Sequence, residues 1–532
     1  LGQGNPALIG EGGTVTRTWS RGKVIAVSGA FAVVAVVAGL MLVALLRPAP
    51  ESALPATPSP SATAGGAVIA VTTTADGSST MAEIAVGAAG AGATNSIRIH
   101  PEKQSQEITG FGAAVTHSSA ALLHAMPAER RADVLTELFH PDGPARLSVI
   151  RIPIGSSDFV DTEPFTFDDR PSGETDWELE HFSIDPDRRA MIPVLRQILA
   201  INPDVTVIAS PWSPPAWLKE GESLEGGRLR DEEAAYDTYA AYLLRFIEEY
   251  RRAGIPIALM TVQNEPQLRH PDGYPGTDMP VWQQAKLIER LGAALRAAEV
   301  PTRILGFDHN WELSPGDAAT TPEGEDPAYQ YPADLLRTSA ARWIEGIAFH
   351  CYSGSPDAMG RLSDEFPQVT IWVTECSGSS GPDDSVEQRF RDTLSWQASH
   401  LLIPALRNRA TGILTWNLAL DEDGGPHRGG CDTCTGVITV HPDGAIGRNA
   451  EYYVLSHAAR FVPAGSMRIA SESEARGLEH VAFRTDEGST TLIIWNEGET
   501  TRGVDVLLSG ERTAVDVPAR SLTTVEWSAS VP

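Results

Sequence analysis

The sequence predicts a (β/α)8 TIM barrel, of mixed α/β class, with a side β-sandwich built from both ends of the part that follows an N-terminal apolar segment. Three observations carry this reading. Between Glu107 and Arg448, eight short apolar runs alternate with amphipathic stretches, which fits a closed parallel sheet better than an open doubly wound one. Two of those runs, Thr261-Val262-Gln263-Asn264-Glu265-Pro266 and Trp372-Val373-Thr374-Glu375-Cys376, end on a glutamate. A buried barrel strand presents its last side chains at the C-terminal face, where such barrels do their chemistry. After Arg448 the pattern turns to strand-like runs separated by turns.

Taken in order, residues 1–23 read as a short cytoplasmic tail and Val24–Leu46 as an almost wholly apolar segment bracketed by Lys23 and Arg47. This run exceeds the about 20 residues that span a bilayer. Arg17, Arg21 and Lys23 place its N-terminal side inside, which predicts one transmembrane helix with the catalytic part outside the cell membrane. Secretion after signal cleavage is the alternative. A signal peptide has an apolar region of about 7–15 residues with a small-residue site close behind it, whereas Ala62-Thr63-Ala64 lies well beyond the run. Residues 47–66, rich in Pro, Ala, Ser and Thr, have nothing to bury and read as a stalk.

Residues 67–105 hold two expected strands, Ala67–Thr74 and Ser96–His100, which have no partner unless they join the C-terminal sandwich. The barrel is expected over 106–448. Its strands are Ile108–Ala113, Ser148–Pro153, Val205–Ser210, Ile257–Gln263, Arg303–Asp308, Gly346–His350, Val369–Thr374 and Gly412–Asn417. Helical periodicity marks Asp187–Ile201, Glu232–Arg252, Val281–Ala298 and Ser385–Arg407. Residues 449–532 are expected to form an antiparallel sandwich from Met467–Ser471, Val481–Arg484, Thr490–Asn496, Gly503–Leu508 and Leu522–Trp527.

The chain has 532 residues, 42% of them hydrophobic and 21% charged, the balance of a folded protein with room for a large barrel and a smaller domain. Its net charge of −28 repels nucleic acid and anionic lipid. A neutral carbohydrate substrate fits that charge. The membrane is then touched only through the N-terminal helix, and nothing in the sequence bears on oligomeric state. Two carboxyl groups facing one cleft are the minimum equipment for cleaving a glycosidic bond with an acid and a nucleophile.

The strand tips collect Arg151, Ser210-Pro211-Trp212, Asn264-Glu265, His350-Cys351-Tyr352, Glu375 and Thr415-Trp416-Asn417. The runs ITGFGAAVT (108–116), RIPIGSSDF (151–159), FSIDPD (182–187), SPWSPPAWLK (210–219), TVQNEP (261–266), FHCYSG (349–354), TECSG (374–378) and TWNLALDEDGGPH (415–427) resemble, in order and spacing, those of glycoside hydrolase family 30, the glucosylceramidase family. The resemblance covers roughly residues 96–530. It implies a retaining β-glycosidase that needs no cofactor or metal. Its substrate is expected to be a β-linked glucoside or glucan, with β-1,6-glucan, β-galactan, β-xyloside and glycolipid as alternatives. A carbohydrate-binding protein without catalysis is the reading from another class.

By the same resemblance Glu265 is the general acid/base, held protonated by burial and the nearby charge of Glu375, and Glu375 is the nucleophile. Arg151 keeps the nucleophile ionised, Asn264 holds the 2-hydroxyl, His350 and Tyr352 bond around nucleophile and sugar, and Trp212 and Trp416 shape the glycone subsite. One position departs from the pattern. The family carries Thr-Asp after the Gly-Phe-Gly run, and this chain carries Thr116-His117, so His117 is expected to meet sugar hydroxyls in place of a carboxylate. Cys431 and Cys434 form a C-x2-C that is read as a local disulfide, since a zinc site needs further ligands. Cys351 and Cys376 are read as outward-pointing buried thiols, with a cross-strand bridge as the alternative.

Overall fold

The computed structural model describes residues 67–88, 95–271, 273–325, 330–379, 381 and 383–529. The expected tail, membrane segment and stalk lie outside the described residues, among which no helix is long and apolar enough to cross a membrane. Eight parallel strands form a closed barrel: β1 Gly110–Ala114, β2 Val149–Ile154, β3 Thr206–Pro211, β4 Leu259–Thr261, β5 Arg303–Asn310, β6 Ile344–His350, β7 Thr370–Glu375 and β8 Ala410–Thr415. β8 pairs back onto β1 from Gly412 against Gly110 to Thr415 against Ala113.

Each strand lies within two or three residues of its expected span, because β-branched and apolar residues mark strands more clearly than their ends. The interior is filled by Val149, Ile208, Leu259, Leu305, Ala348, Trp372 and Leu414, one from each strand except β1. Glycine takes the missing share. A Cβ on Gly412 would lie 2.4 Å from the Trp372 ring, and one on Gly112 would lie 1.7 Å from the Val149 carbonyl oxygen. Side chains alternate across a strand with period two. Two residues beyond this apolar layer the same strands therefore turn Arg151, Ser210, Thr261, His350, Thr374 and Trp416 inward.

The helices differ from expectation in three places, the first being Asp187–Ile201, which starts only at Met191 after a 3-10 turn Asp185–Arg188. Ser385–Arg407 is interrupted, as helix Val386–Trp396, a π-helical turn Gln397–Leu402 and helix Ile403–Arg407. Helices do not stop at Arg448: Ala450–Ala459 forms one more, packed on β1 and on the helix Val386–Trp396. Its apolar residues run almost all round it, so it shows no amphipathic period to read. His457 on this helix is fully buried, its two ring nitrogens 3.0 Å from Thr73 Oγ1 and 2.8 Å from Thr524 Oγ1. Burial lowers its pKa to about 3, so it stays neutral while joining the barrel to strands from both ends of the described chain.

Those ends share one sheet. Val68–Thr74 pairs antiparallel with Ser521–Trp527, and Asn95–Glu107 lies between Met467–Ser473 and Arg502–Leu508. The last of these pairings is parallel, so the module is not wholly antiparallel as expected. Two strands exceed the sequence reading: Ser96–His100 extends to Glu107, and Glu511–Val517 was not foreseen. Both are rich in exposed polar residues, which hides the alternation. The sheet folds over a core that includes Ile97, Ile99, Ile469, Leu492, Ile494, Val504, Val506 and Val525.

Gly112→Ala should be at least as costly as ordinary overpacking, about 3 kcal/mol or more, because its new methyl meets backbone rather than a movable side chain. Urea unfolding of the variant is expected to show a lower midpoint or no folded baseline. An unchanged midpoint would show that β1 and β2 can move apart.

Candidate active site

At the centre of the polar layer Arg151 and Asp308 form an ion pair that is fully buried, with Arg151 Nη2 2.9 Å from Asp308 Oδ2. Asp308 Oδ2 also accepts from Ser210 Oγ at 2.8 Å and Thr261 Oγ1 at 2.7 Å, while its Oδ1 accepts from Thr374 Oγ1 at 2.7 Å and His350 Nε2 at 3.1 Å. Burial alone would raise its pKa. The Arg151 charge and the hydrogen bonds around it more than reverse that and hold the carboxylate ionised. Asp308 reaches this place because the backbone at Phe307 and Asp308 is left-handed, φ +70° and +78°. The twist lets a residue three beyond Leu305, rather than two, point inward.

Arg151 carries this charge to the cleft. Its Nη1 lies 2.6 Å from Glu375 Oε2, and its Nη2 donates to Asn264 Oδ1 at 2.6 Å. The guanidinium sits 4.9 Å from the Trp212 ring and 5.7 Å from that of Trp416. These two indoles stack at 5.3 Å, and Phe159 meets Trp416 edge-on at 6.0 Å. The result is an apolar wall beside two carboxylates. Asn264 is further fixed by its N–H on the Pro211 carbonyl at 2.7 Å, and Glu265 by its N–H on the Asp308 carbonyl at 2.9 Å. Glu265 has φ +45° and Asn417 φ +62°, so left-handed non-glycine residues gather at this end of the barrel.

Glu375 ends β7, and its Oε1 accepts from the Tyr352 hydroxyl at 3.0 Å. Tyr352 is 42% exposed and so forms part of the cleft's rim. His350 Nδ1 stands 3.0 Å from Glu265 Oε1 and 4.0 Å from Glu375 Oε1, which caps the separation of those oxygens at the sum of the two lengths. A retaining pair, about 5–5.5 Å apart, fits under that cap, and most of the inverting range of about 6.5–9.5 Å does not.

The protons are not where the sequence placed them. Both ring nitrogens of His350 face carboxylates, Asp308 and Glu265, and only an imidazolium can donate to both. Burial opposes its charge, but Glu375, Asp308 and Glu265 outweigh burial and push its pKa up to about 9. For Glu265, burial raises the pKa while the neighbouring imidazoles of His309 and His350 pull it below the usual carboxylate range. For Glu375 burial wins: its pKa stands above the ordinary carboxylate value, with His350 and Arg151 offsetting only part of the rise. His350 therefore carries its charge one hydrogen bond away from Glu265.

His117 has a partner within the protein. Its Nε2 is 2.7 Å from the buried Asp187, whose other oxygen accepts from the Tyr250 hydroxyl, and its ring meets Phe165 edge-on at 5.2 Å. It is the first residue of helix His117–Ala125, capped by Thr116, and the hydrogen bond with Asp187 holds it. The nearby carboxylate that the sequence reading missed is Asp158, on the loop after β2. Burial raises its pKa well above the carboxylate range, and the charges of Glu375 and Glu265 add to the rise, so it can donate as well as accept. Asp308 and His309 were also missed; the only signal was the polar run Asp308-His309-Asn310 at the end of an apolar strand.

Both cysteine pairs are closed. Cys431 and Cys434 form a disulfide that packs with Phe159, Trp212, Trp416 and Tyr274. Cys351 and Cys376 are also bonded to each other, not free, and link the residues that follow β6 and β7. Adjacent parallel strands bring their tips within disulfide reach when the register aligns them, and the pairing of His350 with Glu375 does so.

Comparison with known proteins agrees with this geometry. The family model of the glycosyl hydrolase family 30 TIM-barrel domain matches residues 108–462, and that of the family's beta sandwich domain matches 465–525. An endo-1,6-beta-D-glucanase of Neurospora crassa is 30% identical over 75% of this chain and 80% of its own length. The lysosomal acid glucosylceramidase of Mus musculus is 30% identical over 78% of this chain and 80% of its own. A solved endo-beta1,6-glucanase superposes with a TM-score of 0.77 at 29% identity, covering 87% of this chain and 99% of that one.

The proton on His350 sets a pH limit. His350 must be protonated to supply it, and a pKa raised to about 9 extends that state upward. For hydrolysis of an activated aryl β-glycoside, kcat/KM should hold through neutral pH and fall as pH passes about 9. In His350→Gln the alkaline limb should move to lower pH, since Glu265 alone then holds the proton. An alkaline limb that stays in place would remove His350 from this role.

Proposed function

The chain belongs to glycosyl hydrolase family 30, and we propose that it cleaves β-linked glucose polymers by double displacement, with Glu265 as acid/base and Glu375 as nucleophile. The chain is a glycosidase; the linkage and the residue roles are our reading. The observation that carries them is the single His350 nitrogen placed 3.0 Å from one glutamate and 4.0 Å from the other. In the first half-reaction Glu375 attacks the anomeric carbon and forms a glycosyl ester, while Glu265 protonates the departing oxygen with the proton held by His350. In the second, Glu265 takes a proton from water, which attacks the same carbon and releases Glu375 with configuration retained.

Arg151 keeps Glu375 an anion at 2.6 Å and turns the Asn264 carbonyl inward, which leaves the amide NH2 for the sugar 2-hydroxyl. Trp212 and Trp416 offer the apolar wall of the glycone subsite. Asp158, in place of His117, meets the outer hydroxyls of the glycone. A 1,6-linkage is favoured because curated and solved relatives named as endo-1,6-glucanases align along most of the chain. A glucosylceramide-type substrate is the second reading, supported by the murine relative.

We also place the catalytic part outside the cell membrane, anchored by residues 24–46. Two disulfides at the strand tips and loops of the active face support an oxidising compartment.

Glu375→Ala should lower kcat at least about 1,000-fold on any substrate, since no other group can form the ester. Full activity in that variant would overturn the assignment. Linear β-1,6-glucan should be cleaved faster than glucosylceramide or an aryl β-glucoside, with Asp158→Asn raising KM on the polymer. His117→Asp should leave substrate preference unchanged and lower stability, because it would face Asp187. A preference for glucosylceramide would sink the glucan reading.

A further inference from the structure

We propose that Glu265, His309 and His350 form a Zn2+ site through which the metal shuts the cleft down. One oxygen of Glu265 and one nitrogen of each imidazole lie within 4.8 Å of one another. The Glu265 Oε1 is 3.0 Å from His350 Nδ1 and 3.7 Å from His309 Nδ1. In a tetrahedral zinc site with bonds of about 2.0–2.1 Å, neighbouring ligand atoms stand about 3.3 Å apart. The three atoms need only small side-chain rotations to reach that spacing.

His309 supplies the independent observation. It is only 1% exposed, and neither of its ring nitrogens has a hydrogen-bond partner among the described residues. A buried polar group left unsatisfied is costly, yet this imidazole stands beside Glu265 and next to a second imidazole, with ring centres 6.4 Å apart. Two histidines and one glutamate are a recognised zinc donor set, and three protein ligands leave a position open. Glu265 is the more accessible member, its side chain 15% exposed, so the cleft itself is the entry path.

Charge favours the ion. Glu265, Glu375 and Asp308 gather around one fixed cation, Arg151, which pairs with the last two. Metal binding occupies the Glu265 oxygen that would protonate the leaving group. No bond to sugar is made or broken. The consequence for turnover rests on the proposed function, whereas binding of the metal does not.

The test is zinc titration of the full chain with two readouts. Equilibrium dialysis should show one tightly held zinc, lost in His309→Asn and in Glu265→Gln, each checked for folding by its thermal transition. Zinc should also raise the melting temperature of the unmodified chain and of neither variant. On an aryl β-glycoside, zinc should inhibit at micromolar concentration in competition with substrate, reversibly by chelation. His309→Asn should raise the inhibition constant at least about tenfold, scored against its own metal-free rate. Zinc retained in both variants would place the ion elsewhere, for example on the exposed pair His441 and Glu422, and would overturn the proposal. So would the absence of binding below about 1 mM. If zinc binds as described but no glycoside is cleaved, the functional reading fails and the site stands.

Discussion

The ion pair between Arg151 and Asp308 is the constraint on which the active end of this barrel depends. Both groups are fully buried, and an ionised carboxylate or guanidinium loses several kcal/mol of hydration there. The loss is tolerable only because every lobe of Asp308 is met: by Arg151, Ser210, Thr261, Thr374 and His350, from five different strands. Those strands are thereby held in one register at their tips. Removing either partner leaves an uncompensated charge, a loss of about 3–5 kcal/mol in comparable buried pairs. The same pair orders the chemistry. Arg151 passes to Glu375 and Asn264, and His350 passes from Asp308 to Glu265.

Two identical side chains thus acquire different tasks from their neighbours. Glu375 faces a guanidinium that cannot give up its proton, so it is met by fixed positive charge. Glu265 faces an imidazolium that can, so it is met by a proton on loan. Burial pushes both carboxyls toward neutrality, and the groups beside each set the outcome, Glu265 drawn below the ordinary carboxylate value and Glu375 left above it. Left-handed backbone at Glu265, Phe307 and Asp308 is the local cost of aiming these groups, borne by the surrounding barrel hydrogen bonds.

Much of this was legible one residue at a time. Eight apolar runs and the two terminal glutamates identified the barrel and its carboxylates, since strand period and strand ends are local properties. Arg151, Trp212, Asn264, His350, Tyr352 and Trp416 stand in the cleft for the same reason: each sits at or just beyond a strand end. Helix Ala450–Ala459 and strand Glu511–Val517 escaped because one is apolar all round and the other polar throughout. Neither carries the period by which elements are read.

What the sequence alone determined was the set of barrel strands, the two catalytic candidates and the residue types around them, because hydrophobic pattern and motif spacing are carried by neighbours in the chain. What only the tertiary structure decided was who pairs with whom. His117 follows a sugar-binding run yet turns to Asp187, which lies 70 residues on. Cys351 meets Cys376 because β6 and β7 align. Asp308 became the hub between Arg151 and His350 through contacts of 42 to 157 residues in separation. Electrostatics depends on distance in space and on burial, and neither is written in the order of residues.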